Sequence, residues 1–317
     1  MTSVQLSIAD NTSILEKEMD KAAELADRHP AHVFMPPVVN TLRSMCDIYF
    51  DRTDWNIITE TCKSHPLFEI CQEDPYTNRA YNKPRGYAGD AKLIDYFHGY
   101  NGPTNYTSPR GASLFSHSMT YAACDSVRYR RAYIASEIDR ICKTKEGKAR
   151  IASIACGHMR EASFSQAIIN EYYDYIILLD QDEKSLDLVN KEYATSNNIE
   201  VCHGKIQSMI TGEYQLDSMD MIYASGLYDY LLQPMGKSLT KNLFYNLREN
   251  GFLLLANFVP TIDARGYMHS FMDWRLVYRT QGEVVDLASD INREDIKSIR
   301  SFHDPHKCVV YLEIYRK

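Results

Sequence analysis

The residues with the plainest chemical reading are Gly157 and Asp180, 23 positions apart. Gly157 interrupts IASIACGHMREAS (151–163), where an apolar run passes into a helical pattern, and Asp180 ends the apolar run YDYIILLD (173–180). In an open parallel sheet, the turn after the first strand offers backbone N–H groups to a ligand. An acid about 20 residues further on, closing the second strand, accepts hydrogen bonds from ribose hydroxyls. The pair points to a nucleotide-like cofactor, held by Ala155, Cys156, Gly157 and His158 on the turn and by Asp180 and Gln181 beside the sugar. A blander outcome uses the same residues: Gly157 shapes a plain turn and Asp180 caps the next helix.

The missing glycines and one charge narrow the choice of cofactor. A dinucleotide asks for three glycines in G-x-G-x-x-G, so that its pyrophosphate can rest on a helix N-terminus. Only Gly157 is present here, and Glu161 is expected in the first helical turn, where its carboxylate repels phosphate and attracts a cation. S-adenosylmethionine carries an ammonium and a sulfonium and no phosphate, so the charge argument favours it over NAD. Glu161 could also serve only the helix dipole.

These residues need a sheet to position them, and the second half of the chain has the grammar of one. RIASIA, YDYIILLD, IEVCHG, MDMIYAS and GFLLLANF alternate with amphipathic helical stretches, which indicates parallel strands with right-handed crossovers and helices on both faces. SIRSFHD and CVVYLEIYRK, separated by Pro305-His306-Lys307, form an antiparallel hairpin at the sheet edge. The expected fold class is α/β, a Rossmann-like seven-stranded sheet with an antiparallel C-terminal hairpin, preceded by an N-terminal helical cap. The first 110 or so residues look helical. A helix opens on a capping box of Ser13 with Glu16 and stops at Pro30, and others cover about 37–50, 54–63, 90–98 and 112–143. KTKEGK marks a boundary, giving a cap and substrate region over 1–144 and a cofactor-binding domain over 145–317.

Composition excludes some functions. A net charge of −7 argues against a broad nucleic-acid face, and VRYRR (127–131) reads as a solvated helix face. The eight cysteines show no CxxC and no histidine at zinc spacing, so no metal ligands are expected and the thiols are read as free. There is no charged-then-apolar leader and no apolar run near 18 residues, which fits a cytoplasmic protein with no membrane partner.

Residues 145–317 resemble the class I S-adenosylmethionine-dependent methyltransferases, whose sheet ends in such a hairpin. By that resemblance SIACGHMRE is the first cofactor motif and LLDQD presents Asp180 to the ribose. MDMIYASGLYDYL is then the fourth strand and its loop, bringing Ser225 and Gly226 beside the transferred methyl. The chain departs from the pattern at Ser153, where the family has an acid, and at Ala155 and Met159, where it has glycines.

A narrower resemblance rests on NKPRGYAGD (82–90), ACGHMRE, ASGLYDYL (224–231), ANFVP (256–260) and MDWRLVYRT (272–280), and is to bacterial methyltransferases that make hydroxy-fatty-acid methyl esters. It implies that Tyr87 covers the cofactor and that Arg85 faces a carboxylate of methionine or of substrate. Asn257, Trp274, Tyr278 and Arg279 then line the acceptor, with Trp274 and Tyr278 on one helical face. Arg279 offers a bidentate fork to an acidic substrate.

The expected function is methylation of a small-molecule acceptor, at a carboxylate or hydroxyl oxygen. Small-molecule N-methylation and a catalytically inactive cofactor-binding protein are the alternatives, and a homo-oligomer is left open. A carboxylate acceptor is already ionised at neutral pH. A phenol or amine would need a base, for which Tyr228, Asp229 and His158 are the candidates.

Overall fold

The computed structural model describes residues 7–50, 52–194, 196 and 198–317. They divide into two compact units. One comprises the described residues up to Asp125 together with Thr261–Arg275, the other Ser126–Pro260 with Leu276–Lys317.

The first unit is helical. It contains α1 (Ile8–Leu25), α2 (Ala31–Tyr49), α3 (Asp54–Ser64), α4 (Leu67–Cys71), α5 (Pro75–Asn82), α6 (Ala91–Phe97), α7 (Pro109–Ser118) and the first turn of α8 (Ala122–Thr144). The capping box of α1 is Ser7 with Asp10, six residues before the expected Ser13 and Glu16. The extra turn is tied down where the Asn11 side-chain amide donates to Tyr49 Oη (2.9 Å). Pro36 and Pro37 lie inside α2 and do not start it. Each forfeits an intrahelical bond, at about 3 kcal/mol for an interior proline. Burial of Phe34, Met35, Val38, Val39 and Leu42 on the same helix offsets that loss, at about 1.5–3 kcal/mol each. The single helix expected over 112–143 is broken at 119–121, where the Ser118 hydroxyl is held by buried Asp74 Oδ2 (3.1 Å).

The second unit carries one seven-stranded sheet in the order β3-β2-β1-β4-β5-β7-β6. Its strands are β1 (Arg150–Ile154), β2 (Tyr175–Asp180), β3 (Ile199–His203), β4 (Met219–Ala224), β5 (Leu247–Phe258), β6 (Ile296–His303) and β7 (Val309–Arg316). The first five run parallel, and β7 is antiparallel to both β5 and β6. All seven strands lie where the apolar runs put them. Every residue of β4 is buried, Asp220 among apolar neighbours, as befits a central strand of a parallel sheet covered on both faces. Helices α10 (Glu183–Glu192), α11 (Ile206–Ile210) and α12 (Gln233–Tyr245) connect the parallel strands. The connection from β1 to β2 has no long helix, only a 3-10 turn and the four-residue α9 (Gln166–Ile169). The Rossmann-like sheet with its antiparallel hairpin is borne out.

The unit boundaries differ from the expected division at 144. Residues 126–144 of α8 pack on the hairpin: the Tyr133 hydroxyl donates to the Glu313 carboxylate, and Arg140 Nη2 donates to Tyr315 Oη (2.7 Å). After β5 the chain returns to the first unit through α13 (Arg265–Phe271). A Cβ at Gly266 would stand 2.7 Å from the Leu42 Cβ, so glycine permits this close packing of α13 on α2. A last helix, α14 (Gln281–Asp286), precedes β6. No helix among the described residues is long and apolar enough to cross a membrane. All eight cysteines are free thiols, seven of them buried.

Candidate functional site

The turn after β1 has left-handed backbone at Ala155 (φ 55°), Gly157 (φ 55°) and Met159 (φ 47°). These are the three places where the resembled motif has glycine, so the shape survives although two of the glycines do not. Left-handed backbone costs a residue with a Cβ roughly 1–2 kcal/mol. Three hydrogen bonds hold the turn. Cys156 N–H donates to Leu179 O (3.1 Å), Gly157 N–H to Asp180 Oδ2 (2.7 Å) and Met159 N–H to Cys156 O (3.0 Å). The Met159 side chain is buried and His158 is buried beside it in sequence.

Two substitutions separate backbone strain from packing. Ala155→Gly relieves the strain and adds backbone freedom to the unfolded chain, so it is expected to change stability by about +0.5 to +1 kcal/mol. Met159→Gly relieves the same strain but removes a buried side chain worth about 2–5 kcal/mol, so it is expected to destabilise. Urea unfolding of both variants checks the opposite signs.

Asp180 closes β2 almost fully buried, its other oxygen, Oδ1, accepting from Asp182 N–H (2.9 Å). Burial raises its pKa and the bonds from Asp182 and Gly157 oppose that rise. The helix-capping role belongs to Asp182, whose carboxylate accepts from Lys184 N–H (3.1 Å). Asp180 therefore braces the turn, and each of its oxygens keeps a second lone pair for a ligand. Because Gly157 N–H already points at this carboxylate, it does not face a pyrophosphate. Gln181 is exposed at the same strand end.

Glu161 is not in a helix. It stands in a turn just before the 3-10 segment Ala162–Phe164, so the first-turn placement expected for it is corrected. With no helix there, no dipole acts on it, and the argument against phosphate rests on its charge alone. Tyr223 Oη, on β4, donates to Glu161 Oε1 (2.6 Å), and Tyr223 is in register with Ser153 on β1. A carboxylate thus reaches the β1–β4 pair from Glu161, although Ser153 replaces the acid of the family pattern. Burial raises the Glu161 pKa, while the Tyr223 bond and the charges of Arg130 and Arg131 hold it down. Ser225 and Gly226 are half-buried just beyond β4.

Other candidate residues form a knot at the ends of β4 and β5. Arg279 is 1% exposed and spends its guanidinium on Gln233 Oε1 (2.6 Å), Tyr228 O (2.7 Å), Asn257 Oδ1 (2.5 Å) and Leu231 O. The Asn257 amide donates to Phe258 O and Val277 O (both 2.9 Å). Asp229 Oδ1 accepts from Phe258 N–H (2.7 Å), and burial lifts its pKa to about 6. Tyr228 is fully buried with its hydroxyl on Thr240 Oγ1 (3.0 Å), and burial pushes its pKa up.

These contacts correct the readings of Arg279 as a substrate fork and of Asn257 as a substrate ligand, since four of the five guanidinium N–H donors and the Asn257 amide are committed within the chain. They likewise place Tyr228 and Asp229 in structural bonds, not as bases in an open cavity. Residues 273–280 form neither helix nor strand: Val277 N–H donates to Asp229 O (2.7 Å) and Arg279 N–H to Phe258 O (3.0 Å). Trp274 and Tyr278 therefore share no helical face. Trp274 belongs to the first unit, edge-on to Tyr76 at 6.4 Å, and half-buried Tyr278 belongs to the second.

Arg85 and Tyr87 are half-buried in the first unit, on the turn from α5 to α6. The turn is pinned by fully buried Asp90, which accepts from Arg79 Nε (2.9 Å) and Nη2 (2.6 Å) and from Leu93 N–H (2.7 Å). Their part in any reaction is read from the resemblance alone.

Two residues escaped the sequence reading. Tyr223 hid in a strand that is apolar but for Asp220, where its hydroxyl was the signal that a polar partner must lie near that end of the strand. Arg130 hid in VRYRR, yet Val127, Arg130, Ile134 and Ile138 are all buried, which puts it on the inner face of α8. The solvated-face reading of that stretch is thereby corrected at Arg130.

No family model matches this sequence, and no curated protein matches it. Among solved structures, the chain is similar to a possible exported protein from Bordetella parapertussis, at 12% identity and TM-score 0.61, with 100% of this chain and 99% of that one covered. This likeness is one of fold. Magnesium protoporphyrin IX methyltransferase from Synechocystis is similar at 11% identity and TM-score 0.47, covering 76% of this chain and 95% of that one. The N-methyltransferase NodS from Bradyrhizobium japonicum is similar at 9% identity and TM-score 0.41, covering 58% and 94%.

Proposed function

We propose that this chain is an S-adenosylmethionine-dependent methyltransferase acting on a small molecule, and that the acceptor atom is a carboxylate oxygen. The observation that carries the reading is the turn after β1, left-handed at residues 155, 157 and 159 and braced on Asp180. Non-glycine residues persist in such backbone only where the surrounding structure holds them there, and here two of them flank Gly157 within five residues. The acids supply its preference. Asp180 is available to ribose hydroxyls and Glu161 to the donor's ammonium, and the Glu161 carboxylate would repel a phosphate cofactor.

Bound there, the donor supplies an electrophilic methyl, so that an acceptor oxygen forms the new C–O bond as the C–S bond breaks and sulfur keeps the electron pair as a neutral sulfide. No proton moves if the acceptor is a carboxylate. That fits a site in which two of the three base candidates, Tyr228 and Asp229, are committed to Thr240 and Phe258. What remains for the protein is to align the two reactants and to exclude water.

The test is product chemistry. The chain is incubated with methyl-labelled S-adenosylmethionine and the organic-acid fraction of a cell extract, and the labelled products are treated with alkali. Carboxyl esters release the label as volatile methanol, the expected result. Label that survives alkali would assign transfer to an amine or an ether oxygen, and would sink the carboxylate reading.

A further inference from the structure

Asp74 places a carboxylate in the interior of the helical unit. It is fully buried and caps α5, its Oδ1 accepting from Tyr76 N–H (2.9 Å). Its Oδ2 accepts from the Thr77 hydroxyl (2.8 Å) and from the hydroxyl of Ser118 (3.1 Å), the last residue of α7. Thr77 Oγ1 lies 2.9 Å from Tyr267 Oη on α13. With the Thr77 proton directed at Asp74, the Tyr267 hydroxyl donates to Thr77. Every hydroxyl of the group points towards one carboxylate, and through it α5, α7 and α13 are tied together.

The surroundings do not balance its charge. Arg79 on α5 is committed to Asp90, and Arg110 on α7 to Glu73 and Asp27. The Cys71 thiol comes from α4, and phenols come from Tyr96 on α6, Tyr121 after α7 and Tyr267 on α13. Burial raises the pKa of all four, so they stay neutral at physiological pH. Cys124, in the first turn of α8, donates its S–H to Ser118 O (3.2 Å). Glu73, held ionised by Arg110, adds like charge. His117 on α7 meets Tyr121 Oη (3.3 Å), and burial lowers its pKa. A buried carboxylate without a cation is penalised in its ionised form. Burial accordingly lifts the Asp74 pKa to about 6, against the pull of the Thr77, Tyr76 and Ser118 bonds.

We propose that Asp74 is a proton-operated latch on the break between α7 and α8. Ionised, it draws the Ser118 and Thr77 hydroxyls onto Oδ2. When it takes one proton from water, Oδ2 donates to Thr77 Oγ1, the Thr77 and Tyr267 hydroxyls turn round, and Ser118 loses its charged acceptor. The Ser118 hydroxyl then turns to the carbonyl four residues back, Leu114 O, as helix serines do, and residues 119–121 lose their tie. The unit as a whole gains from acid because the buried charge disappears. It binds the proton more tightly than the unfolded chain, whose aspartates titrate at about 3.9. This contribution is fully present below that pH and is lost as pH rises through about 6.

Both tryptophans, Trp55 and Trp274, belong to the helical unit, so tryptophan fluorescence in urea reads its unfolding within the full chain. The folding constant of wild type relative to Asp74→Asn is expected to fall about tenfold from pH 5 to pH 7.5, since all other titrating groups cancel in the ratio. Ser118→Ala removes a donor that serves the ionised form, so its cost is expected to grow several-fold over the same range. It also keeps the test decisive if Asp74→Asn does not fold. Hydrogen exchange at the Met119, Thr120 and Tyr121 amides, corrected for intrinsic rate, should be several-fold faster at pH 5.5 than at pH 7.5 in wild type. His117→Asn should leave these profiles unchanged, which excludes the neighbouring imidazole as their source. A wild-type to Asp74→Asn ratio that is flat with pH overturns the proposal. So does a Ser118→Ala cost that is flat with pH, or exchange at 119–121 that does not respond to acid.

Discussion

Asp180→Ala is expected to lower affinity for S-adenosylhomocysteine by about 100-fold or more, equivalent to roughly 2.8 kcal/mol, and to destabilise the chain as well. The two losses have one origin. The carboxylate accepts from Gly157 N–H at 2.7 Å and from Asp182 N–H at 2.9 Å, so its removal leaves two backbone donors at a buried strand end without partners. Bonds to a charged acceptor contribute about 1.5–3 kcal/mol each and are not additive here, so a loss of about 2–4 kcal/mol is expected. The turn also relaxes, because its left-handed residues are held by what surrounds them. Asp180→Asn keeps one acceptor oxygen and puts an N–H₂ against the other donor, and it should lie between Ala and wild type in both measurements. Urea unfolding and calorimetric titration on the same preparations give the two numbers.

Arg279→Ala is expected to destabilise the fold by about 3–5 kcal/mol, because it leaves four neutral buried acceptors without their charged donor at about 1–3 kcal/mol each, not fully additive, with a far smaller direct effect on donor binding. The side chain is 1% exposed and ties Gln233, Tyr228 O, Leu231 O and Asn257 together. Without it those acceptors are left in a cavity that water fills poorly. Arg279→Lys keeps the charge but offers a compact ammonium in place of the planar fork, and it should recover only part of the loss. The contrast with Asp180 is informative: a substrate fork would show its effect in acceptor affinity at nearly unchanged stability, and a structural tie shows the reverse. Chemical unfolding together with S-adenosylhomocysteine affinity, measured in the folded baseline, separates the two.

The central strands were legible because they are buried on both faces and so read as nearly continuous apolar runs; MDMIYA is the clearest case, with all six residues of β4 buried, Asp220 included. The pairing of Gly157 with Asp180 was legible for a different reason, since a turn and a strand end at that separation are tied by the βαβ crossover itself. Helix limits were harder. Pro36 and Pro37 mark a start by local rules, and only the long-range burial of Phe34 and Met35 carries α2 through them. Local spacing failed outright at MDWRLVYRT, where apolar residues at helical intervals belong to an irregular segment bonded to Asp229 and Phe258. Charge in the sequence was the least readable quantity. Arg279 and Arg130 look alike as letters, both resemble surface residues, and both are buried. One makes four hydrogen bonds within the chain while the other keeps a buried Nη1 with no described acceptor, a difference set by packing across elements far apart in sequence.

The central claim is that the bend after the first strand receives a cationic methyl donor and not a phosphate-bearing cofactor. Titrating the intact chain in a calorimeter with S-adenosylhomocysteine, and separately with NAD, tests it most directly. The expected result is saturable uptake of one S-adenosylhomocysteine per chain and no heat from NAD. Absence of S-adenosylhomocysteine uptake, or uptake of NAD that competes with it, would contradict the account.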